Sequence, residues 1–401
     1  MKTRPIKKDV TWLGAIDWHR HIFDSLIPLP DGTSYNAYLV SGTEKTVLFD
    51  TVDPTMSDVL TAQLEDIPRI DFVVSHHAEQ DHSGAIPDVL ERFPEAKVIC
   101  SSKAKGMLAD LLKLPDDRFK VVEDGDTLCL GDKTLTFIYT PWVHWPETMV
   151  TYLHEEKMLF TCDFFGSHVA GSDLYVRDEG QVYEAAKRYF AEIMMPFRKH
   201  IQKNLRKLEA YDIEMIAPSH GPIHDRPQLI LDAYRDWAGD VPKNQVVIPY
   251  VSMHGSTGKM VAHLVGALIE KGIDVQPFDL ADVDIGKLAL ALVDAATIVV
   301  GTPTVLTGPH PSAAYAAFLA NLLKPKARYL SVVGSFGWGG KVVEQLAGMI
   351  PNLKVEVIPP VLVKGVIQDD TLQELDALAD AIEANHRSFS VESGELIHPA
   401  A

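Results

Sequence analysis

Short apolar runs alternate with stretches of 3.6-residue periodicity along most of the chain, and together they predict an α/β protein built in two parts. Tyr35–Val40 and Thr46–Asp50 read as β-strands joined by the turn Ser41-Gly42-Thr43-Glu44, which makes a hairpin. The pattern then predicts a helix over Met56–Leu64, a strand over Phe72–Ser75 and a helix over Ile86–Arg92. A strand over Lys97–Cys100 and a helix over Lys103–Leu112 follow, then strands near Phe119–Val122, Thr134–Tyr139 and Met149–Leu153. This succession gives an α/β domain with mixed strand pairing. A helical run from Leu229 to Trp237 ends in Gly239-Asp240-Val241-Pro242, and the domain boundary is placed near Pro242. Beyond it, strands over Val246–Tyr250, Asp274–Phe278, Thr297–Gly301, Tyr329–Gly334 and Val355–Ile358 are each followed by a helical segment. Five such units predict a doubly wound parallel sheet.

Composition narrows the function classes. A chain of 401 residues with 46% apolar and 23% charged positions is an ordinary two-domain globular protein. The net charge of −18, without a block of Lys and Arg, argues against nucleic acid or an anionic membrane as partner. Cys100, Cys129 and Cys162 form no Cys-x-x-Cys pair, which excludes a zinc ribbon and a rubredoxin module and suits a reducing compartment. The basic stretch Met1–Val10 is not followed by an apolar segment, so it is not read as a secretory signal. The longest apolar stretch, near Leu288–Val300, is interrupted by Asp294. The expected location is the cytoplasm.

The chemistry concentrates in His76-His77-Ala78-Glu79-Gln80-Asp81-His82, placed on a loop between a strand and a helix starting near Ser83-Gly84. His77 and Glu79 project to one side at period two, while Asp81 and His82 turn toward a neighbouring point. His76 faces the other way. Four donors on one loop begin two adjacent metal sites, and His144, Asp163 and His220, each at a strand end, are candidates to complete them. A single His at a strand end is more often a hydrogen-bonded core residue, and a single Asp a turn cap; the argument rests on the set. In the second domain, Ser252-Met253-His254-Gly255-Ser256-Thr257-Gly258 follows the first strand and precedes a helix starting near Lys259, where hydroxyls and backbone N–H groups can surround a phosphate. Such a turn is also what an ordinary helix cap looks like. The loops Gly301–Gly308 and Gly334–Gly340 follow strands on the same side of the sheet. Without a Gly-x-Gly-x-x-Gly fingerprint, a mononucleotide fits better than a dinucleotide.

These residues carry a family resemblance. A His-x-[His or Glu]-x-Asp-His loop with later His, Asp and His at strand ends looks like the metallo-β-lactamase fold, whose hydrolases usually have His at the third position and bind zinc. Here the third position is Glu79. A carboxylate in place of an imidazole makes a harder, oxygen-rich site that suits iron. Together with the nineteen-residue step from His144 to Asp163 and the run His144-Trp145-Pro146-Glu147-Thr148-Met149, the chain resembles the flavodiiron proteins, or A-type flavoproteins. Ser252-x-x-Gly255-Ser256-Thr257 and Ser335-Phe336-Gly337-Trp338 match the same family pattern, and the likeness spans about Ile16 to His220 and Gln245 to Ala384.

The resemblance implies a metallo-β-lactamase-like αββα sandwich over residues 1–242 with two non-haem irons. It implies a flavodoxin-like doubly wound parallel sheet with FMN over residues 243–401. Dioxygen would be reduced to water, or nitric oxide to nitrous oxide, with electrons from a separate rubredoxin or a reduced deazaflavin. By motif transfer, His77, Glu79 and His144 hold one iron, Asp81, His82 and His220 the other, and Asp163 bridges them. The FMN contacts would be Ser252, Met253, His254, Gly255, Ser256 and Thr257 from the first loop. The second loop would add Pro303, Thr304, Val305, Leu306, Thr307 and Gly308, and the third Ser335, Phe336, Gly337 and Trp338, where Trp338 either flanks the flavin ring or plugs the packing. Tyr189 is a candidate proton or hydrogen-bond donor to substrate, and equally a helical core tyrosine. A head-to-tail homodimer or a dimer of dimers is expected. Two departures stand out: His254 where many members have Tyr, and Leu306-Thr307-Gly308 where they have Asn-Asn-Gly. Two rival readings are a zinc hydrolase of the lactamase fold fused to a flavodoxin module, and a flavodoxin-type electron carrier with a structural metal domain. The polar tail from Ser388 to Ala401 receives no function.

Overall fold

The computed structural model describes residues 1–393. It divides into two compact units, one of Met1–Tyr189 with Phe197–Ala238, the other of Phe190–Pro196 with the chain from Gly239 onward. The second unit thus begins slightly before Pro242 and takes in the π-helical turn Phe190–Met194.

Seven strands of the first unit make one sheet in chain order: β1 (Arg4–Lys7), β2 (Val10–Asp17), β3 (Thr33–Ser41), β4 (Thr46–Phe49), β5 (Phe72–Val74), β6 (Lys97–Ser101) and β7 (Phe119–Val122). Pairing is antiparallel from β1 to β4 and parallel from β4 to β7. The β3–β4 hairpin was legible in the sequence, whereas β1 and β2 were not. A second sheet, again in chain order, comprises β8 (Thr127–Cys129), β9 (Thr134–Tyr139), β10 (Met149–Leu153), β11 (Met158–Cys162) and β12 (Met215–Pro218). Its last pair, β11 with β12, is parallel.

The inner faces of the two sheets share one core: Val40, Phe49, Val74 and Ile99 from the first meet Phe137, Met149, Phe160 and Ala217 from the second. Phe49 and Phe160 stack across the seam with ring centroids 4.2 Å apart. Burying each such side chain contributes about 1.5–3 kcal/mol. Helices Ser57–Gln63 and Ser102–Leu112 pack on the first sheet. The helices Glu179–Tyr189, Arg198–Leu208 and Gln228–Ala238 bury Val182, Leu205 and Trp237. The architecture is the αββα sandwich that the resemblance implied.

The second unit is a parallel sheet of β13 (Gln245–Tyr250), β14 (Asp274–Asp279), β15 (Thr297–Val305), β16 (Tyr329–Phe336), β17 (Glu356–Val357) and β18 (Val361–Lys364). The order is β14-β13-β15-β16-β17, with β18 also paired to β16. This is the flavodoxin-like doubly wound order, which reverses between β13 and β15. The fifth strand is split because Pro359 and Pro360 have no N–H to give to the ladder. Helix Asp369–Ser393 continues through the start of the polar tail read from Ser388, and residues 394–401 lie outside the described residues. Among the described residues, no helix is long and apolar enough to cross a membrane.

Candidate metal centre

All seven predicted metal-binding residues converge at the ends of strands of the two sheets of the first unit. His77 and Glu79 lie just after β5, and Asp81 and His82 on the short helix Gln80–Ser83 that Glu79 precedes as N-cap residue. The sequence placed all four on a loop; the helical turn starts inside the motif and is what rotates Asp81 and His82 away from His77 and Glu79. From the second sheet come His144, beyond β9, Asp163, directly after β11, and His220, after β12. The turn at His220 depends on Gly221, whose φ of +77° and closeness to the Ser167 hydroxyl leave no room for a Cβ.

The donor atoms form two groups about one carboxylate. His77 Nε2 and His144 Nε2 lie 3.0 and 3.1 Å from Glu79 Oε2, and 3.6 and 3.4 Å from Asp163 Oδ2. On the other side, His82 Nε2 and His220 Nε2 lie 3.2 and 3.1 Å from Asp81 Oδ2, and 2.8 and 3.5 Å from Asp163 Oδ1. Each oxygen of Asp163 therefore faces a different group. Donors bound at about 2.1 Å and at right angles to a common cation stand about 3 Å apart, so these spacings fit one ion per group.

The proton arrangement also calls for cations. His77 Nδ1–H donates to Glu147 Oε1 at 2.7 Å, and His220 Nδ1–H to the Ser34 carbonyl at 2.7 Å, so in the neutral form of each ring the Nε2 lone pair points at carboxylate oxygens. Asp81 Oδ1 and Oδ2, both nitrogens of His82 and Asp163 Oδ1 are buried without a hydrogen-bond partner. Lone pairs packed against lone pairs in a buried site are costly unless positive charge lies between them. Burial alone would lower the pKa of His82, but Asp81 and Asp163 outweigh it and push it up to about 9. The same contest holds His77 above the ordinary range, with Glu147 and Glu79 overcoming burial. Burial would raise Asp163, but the charge on His82 and the neighbouring histidines keep it well below the usual carboxylate range.

The surroundings add residues that the sequence did not single out. Glu147, fully buried, backs His77. His168 stands 4.7 Å from His220, ring to ring, and shares a 2.8 Å hydrogen bond with Thr33, while burial and His220 hold its pKa well down. His76 does face away, as read: its Nδ1–H donates to Asp50 at 2.7 Å and its Nε2 accepts from Thr151 at 2.8 Å. Tyr189 ends its helix buried against His168 and His220, with its pKa raised by burial. A cavity of about 420 Å³, lined by Arg20, Phe23, Asp24 and Trp145, opens onto Glu79 and Asp81. Burial, then Glu79 and Asp81, raise the pKa of Asp24 there.

In the second unit, the three predicted loops lie at the carboxyl ends of β13, β15 and β16. Gly255, at φ +89°, caps a helix that starts at Ser256, three residues before the sequence placed it. The Ser252 hydroxyl accepts from Gly258 N–H at 3.0 Å, and Thr257 Oγ1 lies 3.3 Å from Ser335 Oγ, tying the helix start to the end of β16, to which Ser335 and Phe336 belong rather than to the loop read from the sequence. Pro303, Thr304 and Val305 are not loop, as read, but the end of β15, which pairs back on Gly308–Pro309. Leu306 and Thr307 make that turn with both φ angles positive, at 49° and 67°, the geometry a two-residue hairpin needs. Met253, Leu306 and Trp338 are exposed, so Trp338 is not a packing plug within the second unit.

Residues 33–221 match the family described as "ODP family beta lactamase". The chain is 35% identical over 392 residues to a nitric oxide reductase of Moorella thermoacetica, covering 94% of this chain and 98% of the relative. It is 33% identical to a coenzyme F420H2 oxidase of Methanothermobacter marburgensis, covering 94% and 96%. To a type A flavoprotein of Rhodobacter capsulatus it is 34% identical, covering 88% and 84%. Among solved structures, rubredoxin:oxygen oxidoreductase from Desulfovibrio gigas superposes with a TM-score of 0.92 at 31% identity, over 96% of this chain and 99% of that one.

Proposed function

The chain belongs to the flavodiiron family, the type A flavoproteins, and from that premise we propose that it reduces dioxygen to water and/or nitric oxide to nitrous oxide at two non-haem irons, with electrons delivered through FMN. Dioxygen takes up four electrons and four protons to give two waters; two nitric oxides take up two electrons and two protons to give nitrous oxide and one water. The observation that carries the reading is Asp163, whose two oxygens face two separate histidine and carboxylate groups at 2.8–3.6 Å. Glu79, standing where the fold's hydrolases carry an imidazole, favours iron over zinc and so this reading over a hydrolase.

His77, Glu79 and His144 would hold one iron, Asp81, His82 and His220 the other, with Asp163 between them. Two adjacent irons supply paired electron donation to a diatomic substrate or to a pair of substrates. The protein's part is to fix this geometry, to admit small gases through the cavity beside Trp145, and to hold protons near the reacting atoms. Tyr189, kept protonated by burial and packed against His168 and His220, is placed to donate a hydrogen bond at the centre. The segments Ser252–Thr257, Pro303–Gly308 and Ser335–Trp338 would hold FMN, its phosphate at the helix start that Gly255 caps. A separate rubredoxin or a reduced deazaflavin is the donor, and a head-to-tail homodimer, or a dimer of such dimers, the working unit. The three unpaired cysteines suit a reducing, cytoplasmic setting.

Metal analysis with an absorption spectrum, followed by steady-state rates with each gas and each donor under anaerobic handling, tests the reading. Flavin with two irons per chain and turnover of either gas is the expected result. Flavin with zinc, or with no metal and no gas turnover, overturns it.

A further inference from the structure

The four histidines of the centre are not backed alike. Behind His77 stands a full negative charge: Glu147 has its side chain completely buried, and Oε1 accepts both from His77 Nδ1–H at 2.7 Å and from the Ala78 N–H at 3.0 Å. Its own chain segment is pinned as well, since the Ser101 hydroxyl donates to the Glu147 carbonyl at 2.7 Å. Behind His220 are only neutral groups, the Ser34 carbonyl at 2.7 Å and the Thr33 hydroxyl at 3.5 Å. His82 Nδ1 is buried with no hydrogen-bond partner. A carboxylate on the far nitrogen makes an imidazole a stronger donor through the near one and fixes its orientation, and losing such a partner typically costs about 10–100-fold in metal affinity.

We propose that Glu147 makes the two metal positions unequal, so that the position of His77, Glu79 and His144 binds its metal more tightly and gives it up last. This rests on the reading of a two-iron centre. Glu147 is a positioning residue that acts through His77. In the other position, with Asp81, His82 and His220, no carboxylate is hydrogen-bonded to the far nitrogen of either imidazole among the described residues. It is the position that empties first.

The test follows the release of iron from the holoprotein into an excess of a coloured ferrous chelator, under reducing, anaerobic conditions. Wild type should lose its irons in two phases of equal amplitude, with rates at least about tenfold apart. Glu147→Gln, which keeps the volume and an acceptor oxygen but removes the charge, should speed the slow phase by about 10–100-fold and leave the fast phase unchanged. In the Mössbauer spectrum of the reduced protein, one ferrous doublet should move and the other stay. Glu147→Asp, which retains the charge, should restore part of the slow phase. Hydrogen–deuterium exchange in peptides covering Thr134–Tyr139 and Met149–Leu153 reports whether the first unit of each variant is folded. Release of both irons in a single phase from wild type overturns the inference whatever the variants do, as does equal acceleration of both phases in Glu147→Gln. A protein that never holds two irons fails the functional reading itself, a result distinct from either.

Discussion

Acidification should weaken the second unit through His386. This residue is buried at 0% exposure on helix Asp369–Ser393; its Nδ1–H donates to Asn244 Oδ1 at 2.8 Å and its Nε2 accepts from the Thr297 hydroxyl at 2.7 Å. Burial lowers its pKa to about 4, against an ordinary value of 6.5. A histidine that folds neutral binds its proton more readily in the unfolded chain. Its contribution is therefore intact above pH 6.5 and lost as pH falls toward 4. The loss amounts to about 2 kcal/mol by pH 5 and about 3 kcal/mol by pH 4. His386→Gln keeps a group that can accept from Thr297 and abolishes the titration. The variant should be about 1 kcal/mol less stable at pH 7.5, for the hydrogen bond to Asn244, yet lose about 2 kcal/mol less than wild type between pH 7.5 and 5. Hydrogen–deuterium exchange in peptides covering Gln245–Tyr250 and Thr297–Val305 reads the second unit separately from the first. Parallel pH profiles for wild type and variant would refute the assignment.

Three further outcomes are expected. Glu79→His should lower the iron content and abolish gas reduction with flavin still bound, as metal analysis and turnover would register; unchanged iron occupancy contradicts the role given to Glu79. If the FMN phosphate sits at this helix start, Ser256→Ala combined with Thr257→Ala would remove two charge-assisted hydrogen bonds worth about 1.5–3 kcal/mol each, so FMN should bind about two or more orders of magnitude more weakly in a fluorescence titration. A double variant that purifies with full flavin would place the phosphate elsewhere. Co-expression of Asp163→Ala with the Ser256→Ala, Thr257→Ala chain should give roughly a quarter of wild-type activity if the flavin of one subunit serves the irons of the other. Background activity from proven mixed dimers rules that arrangement out.

The candidate ligands were legible because a metal centre needs donors of few types, and the loop His77–His82 crowds four of them into six residues. The strand-end positions of His144, Asp163 and His220 followed from apolar runs that the structure realises as β9, β11 and β12. The roles of Glu147, quoted only as part of a family run, and of His168 were not legible because they depend on contacts at long range, Glu147 with His77 and His168 with Thr33, and a single acid or histidine shows no periodicity. The β15 hairpin was hidden for a different reason. Leu306 and Thr307 both take a left-handed conformation that neither residue favours, so local preference pointed to a loop while strand pairing prevailed. In β1 and β2, the mixed polarity of Arg4–Lys7 and the glycine within Val10–Asp17 masked a hairpin that tertiary burial stabilises.

The stacked pair Phe49 and Phe160 lies on the seam between two sheets that each contribute to the same centre: His77, Glu79, Asp81 and His82 follow the first sheet, while His144, Asp163 and His220 follow the second. The hydrophobic seam is therefore a spacer that sets the gap between donors. Core volume and the spacing of the donor groups become one variable, because a sheet displaced by a fraction of an ångström carries Asp163 with it relative to His77 and His82. The geometry of the donor set thus reads out the packing of aliphatic and aromatic side chains that never touch it. Selection on the centre's electronic properties acts equally on the oil between the sheets.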